Sequence, residues 1–173
     1  CSTNGKEVMY AAYAQLQKAD AVVRRAESSG HTIMVSKIEV VYNEDGTINQ
    51  VEMTSQGASG PLDALKRIDA AKACLMNGNV RIRRAEENQM REELGGILNG
   101  DVAAWKYLDF KKGARKVSVK VKSDLGGEII LRADSQDGEI LGSMTIPSAA
   151  DWTVYESKVK TPKGVHALWM EFK

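Results

Sequence analysis

The chain has 173 residues, of which 43% are hydrophobic, so it is long enough to form one domain with a sizeable buried core. Lysine and arginine number 24 against 23 aspartate and glutamate, and a net charge of +1 argues against nucleic-acid binding through bulk charge. Two cysteines exclude a disulfide scaffold, two histidines leave little for a metal or acid–base site, and no apolar run is long enough for a transmembrane helix. This composition favours a binding or structural module.

The first residue, Cys1, has two interpretations. It could be the lipidated cysteine of a mature lipoprotein, which predicts a secreted, periplasmic or cell-surface protein with a lipid anchor at Cys1. It could equally be the first residue of a fragment. A single acyl chain binds membranes only marginally.

The N-terminal third of the chain contains a predicted hairpin. Residues 7–28 are alanine-rich and could form a helix or a strand. Residues 32–42 and 48–53 are predicted strands, and Asp45-Gly46 between them is a hairpin turn signal. The run SQGASGP at 55–61 has the composition of a linker. We therefore predict domains at 1–54 and 62–173, joined by a linker at 55–61.

The segment after the linker gives mixed signals. Residues 64–76 could be helix or strand, and Asn77-Gly78 predicts a turn before a short strand at 80–85. Residues 86–94 are highly polar and predict a solvated loop or helical turn. Their glutamates should neutralise the arginines of residues 81–84.

The last 72 residues, from 102 onward, predict an all-β fold. Apolar and polar residues alternate most clearly in VSVKVKS (117–123), which is typical of a half-buried strand. Further strands are predicted at 102–110, 128–133, 139–146, 152–159 and 165–172, separated by glycine or proline turns. Short strands at this spacing predict an antiparallel β-sandwich of jelly-roll type. Trp105 is expected in its core, with His166 on the core-facing side of the last strand.

Several runs in residues 64–173 resemble carbohydrate-binding module family 6. They are RIDAAKA, NGDVAAWKYLDF, GGEIILRADSQDGEILGSMTIP, ADWTVYESKV and KGVHALWMEF. The hairpin GGEIILRADSQDGEILG is the most specific of these matches. The resemblance implies a non-catalytic module that binds a plant-type polysaccharide such as xylan or arabinan.

Residues 1–54 resemble the last propeller blade of glycoside hydrolase family 43, chiefly through the NEDGTI turn. That family places its catalytic carboxylates on earlier blades, and the histidine often found in its last blade is replaced within Tyr10-Ala11-Ala12-Tyr13. We therefore predict that this chain is itself inactive. A parent glycoside hydrolase of xylosidase or arabinofuranosidase type, with a mainly structural module, is the alternative.

The resemblance also supplies candidate sugar-binding residues. Aromatic rings bind the C–H faces of sugars, while polar groups bind the hydroxyls. Trp152, expected at the start of a strand after the loop SAAD, matches the family's cleft tryptophan. Trp169 is predicted to point away from the core, towards a second site or a covering segment. Asn99 and Asp101, from the N-G-D run, complete the set.

The chain departs from the family pattern in three places. Gly96 replaces a cleft tyrosine, and the chain ends at Lys173, before the family's last strand and its sugar-binding asparagine. Family members often bind a structural Ca²⁺, for which Asp69 is the candidate ligand here. Ala71 stands where a second carboxylate is usual, so the cofactor prediction is none, with Ca²⁺ as the alternative.

The expected partners follow from these observations. They are a polysaccharide or oligosaccharide and, in a longer protein, an upstream catalytic domain. If the sandwich ends at Phe172, a neighbouring strand would be left with unpaired backbone groups. That edge would then be covered by residues 8–54 or by a second copy of the chain in a homodimer.

Overall fold

A computed structural model of the protein describes residues 43–47, 54–55, 60–88 and 90–173. The chain divides into two compact units, Cys1–Glu52 and Met53–Lys173. The predicted strands at 32–42 and 48–53, and the choice between helix and strand for residues 7–28, lie outside the described residues. The domain bounds predicted from the sequence stay a prediction.

The turn at Asn43–Thr47 in the first unit is present as predicted. Gly46 has a φ of 82°, and the backbone N–H of Asn43 donates to the carbonyl of Thr47 at 2.8 Å. The Asp45 carboxylate accepts from the Thr47 hydroxyl at 2.6 Å and from its backbone N–H at 2.9 Å. These bonds hold the pKa of Asp45 below its ordinary value, the hydroxyl having the largest effect.

The second unit is built almost entirely of strands. They are β1 (Leu62–Asp63), β2 (Leu75–Asn77), β3 (Arg81–Arg84), β4 (Glu92–Gly95), β5 (Val102–Asp109), β6 (Lys116–Ser123), β7 (Gly127–Ala133), β8 (Ile140–Ile146), β9 (Ala149–Lys158) and β10 (Val165–Phe172). Helical structure in the described residues is confined to a 3-10 turn at Ala70–Lys72, far too short to span a membrane.

The strands form a sandwich. The larger sheet has the order β1-β5-β10-β7-β8, with β2 also paired to β5. The second layer contains β6 paired with β9, and β3 pairs with β4. Every pairing is antiparallel except the two-residue β1, which runs parallel to β5. The prediction of an all-β antiparallel sandwich is confirmed.

The core lies between the larger sheet and the β6–β9 sheet. Trp105, Phe110 and Phe172 are buried there, 4%, 5% and 9% exposed. The valines of β6 pack against this cluster, while its lysines face solvent, as the alternation predicts. The core position expected for Trp105 is confirmed.

An irregularity in β5 changes which residues face the core. Ala103 and Trp105 face inward, and so do Leu108 and Phe110, which requires a change of phase across residues 106–107. The register with β10 shifts at the same point. Ser55 satisfies the backbone of Lys106 at this irregularity. The Ser55 N–H donates to the Lys106 carbonyl at 2.7 Å, and the Ser55 Oγ accepts from the Lys106 N–H at 3.2 Å.

Two predicted strand boundaries were wrong. Residues 92–95 form β4 rather than a polar loop, since backbone pairing with β3 outweighs their low strand propensity. The expected charge neutralisation is present there, with Arg83 Nε 2.9 Å from Glu93 Oε1. Strand β9 begins at Ala149, not Trp152, because Ala149 pairs with Ser123 of β6.

Strand β10 is not an edge strand of its sheet. Strand β10 lies inside the larger sheet, paired on one side with β5 and on the other with β7. The backbones of Lys173 and Glu128 also bond to each other at 2.7 and 2.8 Å. An open edge on another strand, covered by residues 8–54 or by a second copy of the chain, stays a prediction.

His166 does not face the core. Its Nδ1 lies 2.9 Å from the Asp134 carboxylate, and its Nε2 lies 3.0 Å from the Lys163 carbonyl. The same carboxylate accepts the Ala167 N–H at 3.1 Å. This histidine therefore ties the β7–β8 turn to the start of β10. Both of its ring nitrogens already have a partner within the protein, which favours a structural role over ligand binding.

Candidate functional site

Several loops meet at one end of the sandwich, where β5, β7 and β9 begin and β6, β8 and β10 end. The Gly100 N–H donates to the Phe172 carbonyl at 2.7 Å, which fixes the loop before β5 on the end of β10. The Ser148 hydroxyl donates to the Asp124 carbonyl at 2.5 Å, linking the loop before β9 to the loop after β6. Most of the sequence-predicted site residues lie at or near this end.

Trp152 lies near this end, on the solvent side of the β6–β9 sheet. Tyr155, three residues later, packs into the core, so strand alternation places Trp152 on the opposite face. The Lys120 ammonium, which belongs to that face, lies 5.6 Å from the centroid of the Trp152 ring. Trp152 is half-buried, and a cation over a ring at the protein surface contributes about 0.5–1 kcal/mol, so Lys120 covers the ring only weakly.

The surroundings of Trp152 are strongly basic. We use the term lysine face for the outward side chains of β6 and β9, which are Lys116, Ser118, Lys120, Lys122, Trp152, Val154, Glu156 and Lys158. Its four lysines are all exposed, and it has a single glutamate. Glu156 pairs with Lys116 at 2.5 Å. The face thus combines an aromatic ring with an excess of positive charge.

Asn99 and Asp101 occupy the loop before β5 but differ in environment. Asn99 is exposed, whereas Asp101 is 3% exposed and its Oδ2 accepts the Leu98 N–H at 2.9 Å. Gly78, with a φ of 91°, packs so closely that a β-carbon there would overlap the Asp101 carboxylate. Asp101 therefore holds the loop, which favours a structural role over direct sugar contact.

The electrostatics of Asp101 agree with that role. The Leu98 N–H, then the Asn79 N–H, hold the pKa of the Asp101 carboxyl below its ordinary value. Hydrogen bonds to the charged form always act in this direction. A carboxylate already satisfied by backbone N–H groups has little capacity left for a ligand.

Trp169 lies on the other side of the molecule. It pairs across the larger sheet with Ala104 and Arg132, while its neighbours Leu168 and Met170 pack against the core. It therefore points away from the core, as predicted. However, its face is largely buried, and the Trp169 Nε1 atom is shielded from solvent and has no hydrogen-bond partner among the described residues. The structure does not bring Trp169 together with Trp152.

The geometry around Asp69 does not fit Ca²⁺. The Asp69 carboxylate accepts the Ala71 N–H at 3.2 Å and so caps the 3-10 turn. The groove beside it is lined by Arg67, Lys72, Arg91 and Glu92, so cations outnumber carboxylates. Among the described residues, no three His, Cys, Asp or Glu side chains converge. Calcium requires about 6–8 oxygen ligands.

The lysine face was not predicted, although part of the pattern that forms it is visible in the sequence. The alternation in VSVKVKS that predicts β6 also places its lysines together on the outward side. Their proximity to Trp152 depends on the pairing of β6 with β9, two strands separated by the β7–β8 hairpin. Local periodicity carries no information about such long-range pairing.

Comparison with known proteins places this geometry in a family. The family profile for "Carbohydrate binding module (family 6)" matches residues 70–173. A curated relative, the arabinoxylan arabinofuranohydrolase of Bacillus subtilis (strain 168), is 31% identical over 143 residues. That alignment covers 78% of this chain and 28% of the relative. The chain thus spans under a third of the length of this relative.

Solved structures give the same result. A glycoside hydrolase family 43 arabinoxylan arabinofuranohydrolase from Bacillus subtilis, in complex with cellotetraose, has a TM-score of 0.61 and 30% identity, covering 78% of this chain and 29% of that one. A family 6 module from Clostridium stercorarium, in complex with cellobiose, has a TM-score of 0.62 and 23% identity, covering 67% and 90%. The second likeness shows the fold alone. The chain belongs to carbohydrate-binding module family 6, and its homologues include glycoside hydrolase family 43 enzymes.

Proposed function

We propose that this chain binds plant-type polysaccharide, such as xylan or arabinan, without catalysing its cleavage. One observation carries the proposal: Trp152 presents an indole on a solvent-facing sheet surface, beside the end of the sandwich where the loops meet. The Lys120 ammonium, 5.6 Å from the ring centroid, sits on a flexible stem that can move aside. A flat ring of this kind suits the C–H face of a pyranose or furanose.

The relatives support the polymer class. The curated relatives include arabinoxylan arabinofuranohydrolases and a xylosidase/arabinosidase. A family 6 module from Clostridium cellulolyticum, 26% identical with a TM-score of 0.57, was solved in complex with xylose. One ring platform buries little area, so we expect weak affinity.

Affinity electrophoresis in gels containing xylan or arabinan tests this function. The intact chain should be retarded, and Trp152→Ala should lose the retardation, while Trp152→Phe should keep part of it. Trp169→Ala is the matched control on the opposite sheet and should leave retardation unchanged. Retardation lost only in Trp169→Ala would move the site to the larger sheet and contradict the proposal.

The second candidate function is a structural role at the C-terminus of a family 43 glycoside hydrolase. The observation that favours it is the extent of the likeness, since 78% of this chain aligns with the Bacillus subtilis enzyme while the module profile begins at residue 70. In that case the upstream catalytic domain is the partner of this chain. Stability of the enzyme, rather than retardation on polysaccharide, would then depend on the module.

We also propose that the protein acts outside the cytoplasm, where plant polysaccharides are met. Cys1 lies outside the described residues, so a lipid anchor at that position stays a prediction. Metabolic labelling with a fatty acid, compared between the natural chain and Cys1→Ser, tests it. Label that persists in the variant would contradict an anchor at Cys1.

A further inference from the structure

We infer that the lysine face selects saccharides that carry carboxylates, which are the uronic-acid class. This inference rests on the proposed function, because it concerns the same surface around Trp152. It adds the charge of the ligand, which neither the family nor the relatives specify. Three features of the face support it.

The first feature is the uneven distribution of charge. The whole chain is nearly neutral, with 24 basic and 23 acidic residues, yet the lysine face carries four lysines and one glutamate. Lys120 and Lys122 lie two residues apart on one strand, which separates their β-carbons by roughly 7 Å. Two ammonium groups at this distance suit a saccharide that carries carboxylates.

The second feature is an unfavourable pairing within the sheet. Lys116 and Lys158 lie directly opposite each other on β6 and β9. Like charges directly opposite destabilise a sheet. Glu156 relieves this only in part, because it pairs with Lys116 at 2.5 Å and both side chains remain more than half exposed. This pair lies six residues along β9 from Trp152, roughly 20 Å at the rise of a strand. An anionic saccharide chain that extends from Trp152 along the face to this pair would relieve the remaining repulsion.

The third feature is the position of Lys120 over the ring of Trp152. A neutral sugar that stacks on this ring must displace the ammonium and forms no ion pair with it in return. A sugar carboxylate instead draws the ammonium off the ring and pairs with it, because the lysine stem is flexible. The lost cation–π contact makes neutral sugars bind ~2- to 5-fold more weakly than the bare ring would allow.

A matched pair of ligands tests the inference on the full chain. The first is a xylo-oligosaccharide bearing one glucuronic acid, and the second is the same molecule with its carboxylate reduced to the alcohol. We expect tighter binding of the acid by ~2- to 5-fold, measured by tryptophan fluorescence or calorimetry, with a preference that disappears at high salt.

Substitution of one lysine identifies the source of the preference. Lys120→Met should remove the preference for the acid. It should weaken binding of the acidic saccharide and leave binding of the reduced saccharide unchanged or tighter. Lys112→Met, an exposed lysine in the turn after β5, is the control and should keep the preference. Equal binding of acid and alcohol by the natural chain, or a preference that survives both Lys120→Met and high salt, would overturn the inference while leaving the proposed function intact. Binding of neither ligand would overturn both.

Discussion

The two sheets of the sandwich present different outward faces. On the larger sheet, the outward residues Val102, Ala104 and Ile130 are 2%, 0% and 8% exposed, and Arg132 pairs with Glu171 at 3.2 Å. On the β6–β9 sheet, the outward residues include four exposed lysines, one exposed glutamate and a half-buried tryptophan. One face is apolar, buried and charge-balanced, while the other is basic and open. A tryptophan on a sheet face is therefore a candidate site only where its surroundings leave the ring accessible.

The largest expected effect is the difference in stability between a variant of the core tryptophan, Trp105, and a variant of the open-face tryptophan, Trp152. Trp105→Ala should lower the free energy of unfolding by about 3–5 kcal/mol, because it leaves a cavity among Phe110, Phe172 and Met144. Trp152→Ala should cost less than about 1 kcal/mol, since no core contact is lost. Denaturant unfolding of both variants checks the comparison. Equal losses would show that Trp152 belongs to the core.

The next effect compares the ion pairs on the two faces. The side chains of Arg132 and Glu171 are 21% and 22% exposed, against 63% and 52% for Lys116 and Glu156. Glu171→Gln should therefore lower the free energy of unfolding by about 1–2 kcal/mol, because a poorly solvated arginine loses its oppositely charged partner and keeps only the Gly138 carbonyl. Glu156→Gln should cost under about 0.5 kcal/mol. If Glu156→Gln lost more stability than Glu171→Gln, the assignment of the covered and open faces would be reversed.

The lowered pKa of Asp101, which lies in the loop fixed on the end of β10, predicts that the stability of the protein depends on pH. Backbone N–H groups lower its folded-state pKa, so its contribution is present above the ordinary aspartate pKa, near 3.8. The contribution is lost as the pH falls through the depressed folded-state pKa. Asp101→Asn should be less stable than the natural chain at neutral pH, with the difference shrinking at acidic pH. A difference independent of pH would contradict this account.

The smallest effect concerns repulsion on the open face. Lys158→Thr should raise the free energy of unfolding by about 0.2–1 kcal/mol, because Lys158 lies opposite Lys116. The gain should shrink at high salt, which screens exposed charges. Lys163→Thr, an exposed lysine outside the sheet, is the control. A gain that salt does not alter would come from strand propensity rather than charge.

Much of the fold could be predicted from local patterns. Alternation along residues 117–123 and the Gly-rich turns locate most strands, since side-chain period and turn chemistry are local properties. The phase change at 106–107 could not be predicted, because it depends on Ser55 bonding to Lys106 from 51 residues away. Strand β4 was missed because only its pairing with β3 reveals it.

The site was predicted less completely than the fold. Trp152 is a candidate that the sequence already offers, and its sugar-binding role stays a proposal. The role of Asp101 depends on the Leu98 and Asn79 N–H groups that bond to its carboxylate. A sequence shows the carboxylate but not its partners. The lysines near Trp152 were overlooked because β6 and β9 are adjacent in space and not in sequence.

Binding of saccharide to the open face at Trp152 can be tested directly by NMR. The protein has three tryptophans, so its indole N–H groups give three separable NMR signals, assigned by Trp→Phe substitution. Titration with a xylo-oligosaccharide should shift the Trp152 signal progressively and leave those of Trp105 and Trp169 in place. A titration that shifts the Trp169 signal and leaves Trp152 unchanged would contradict the account.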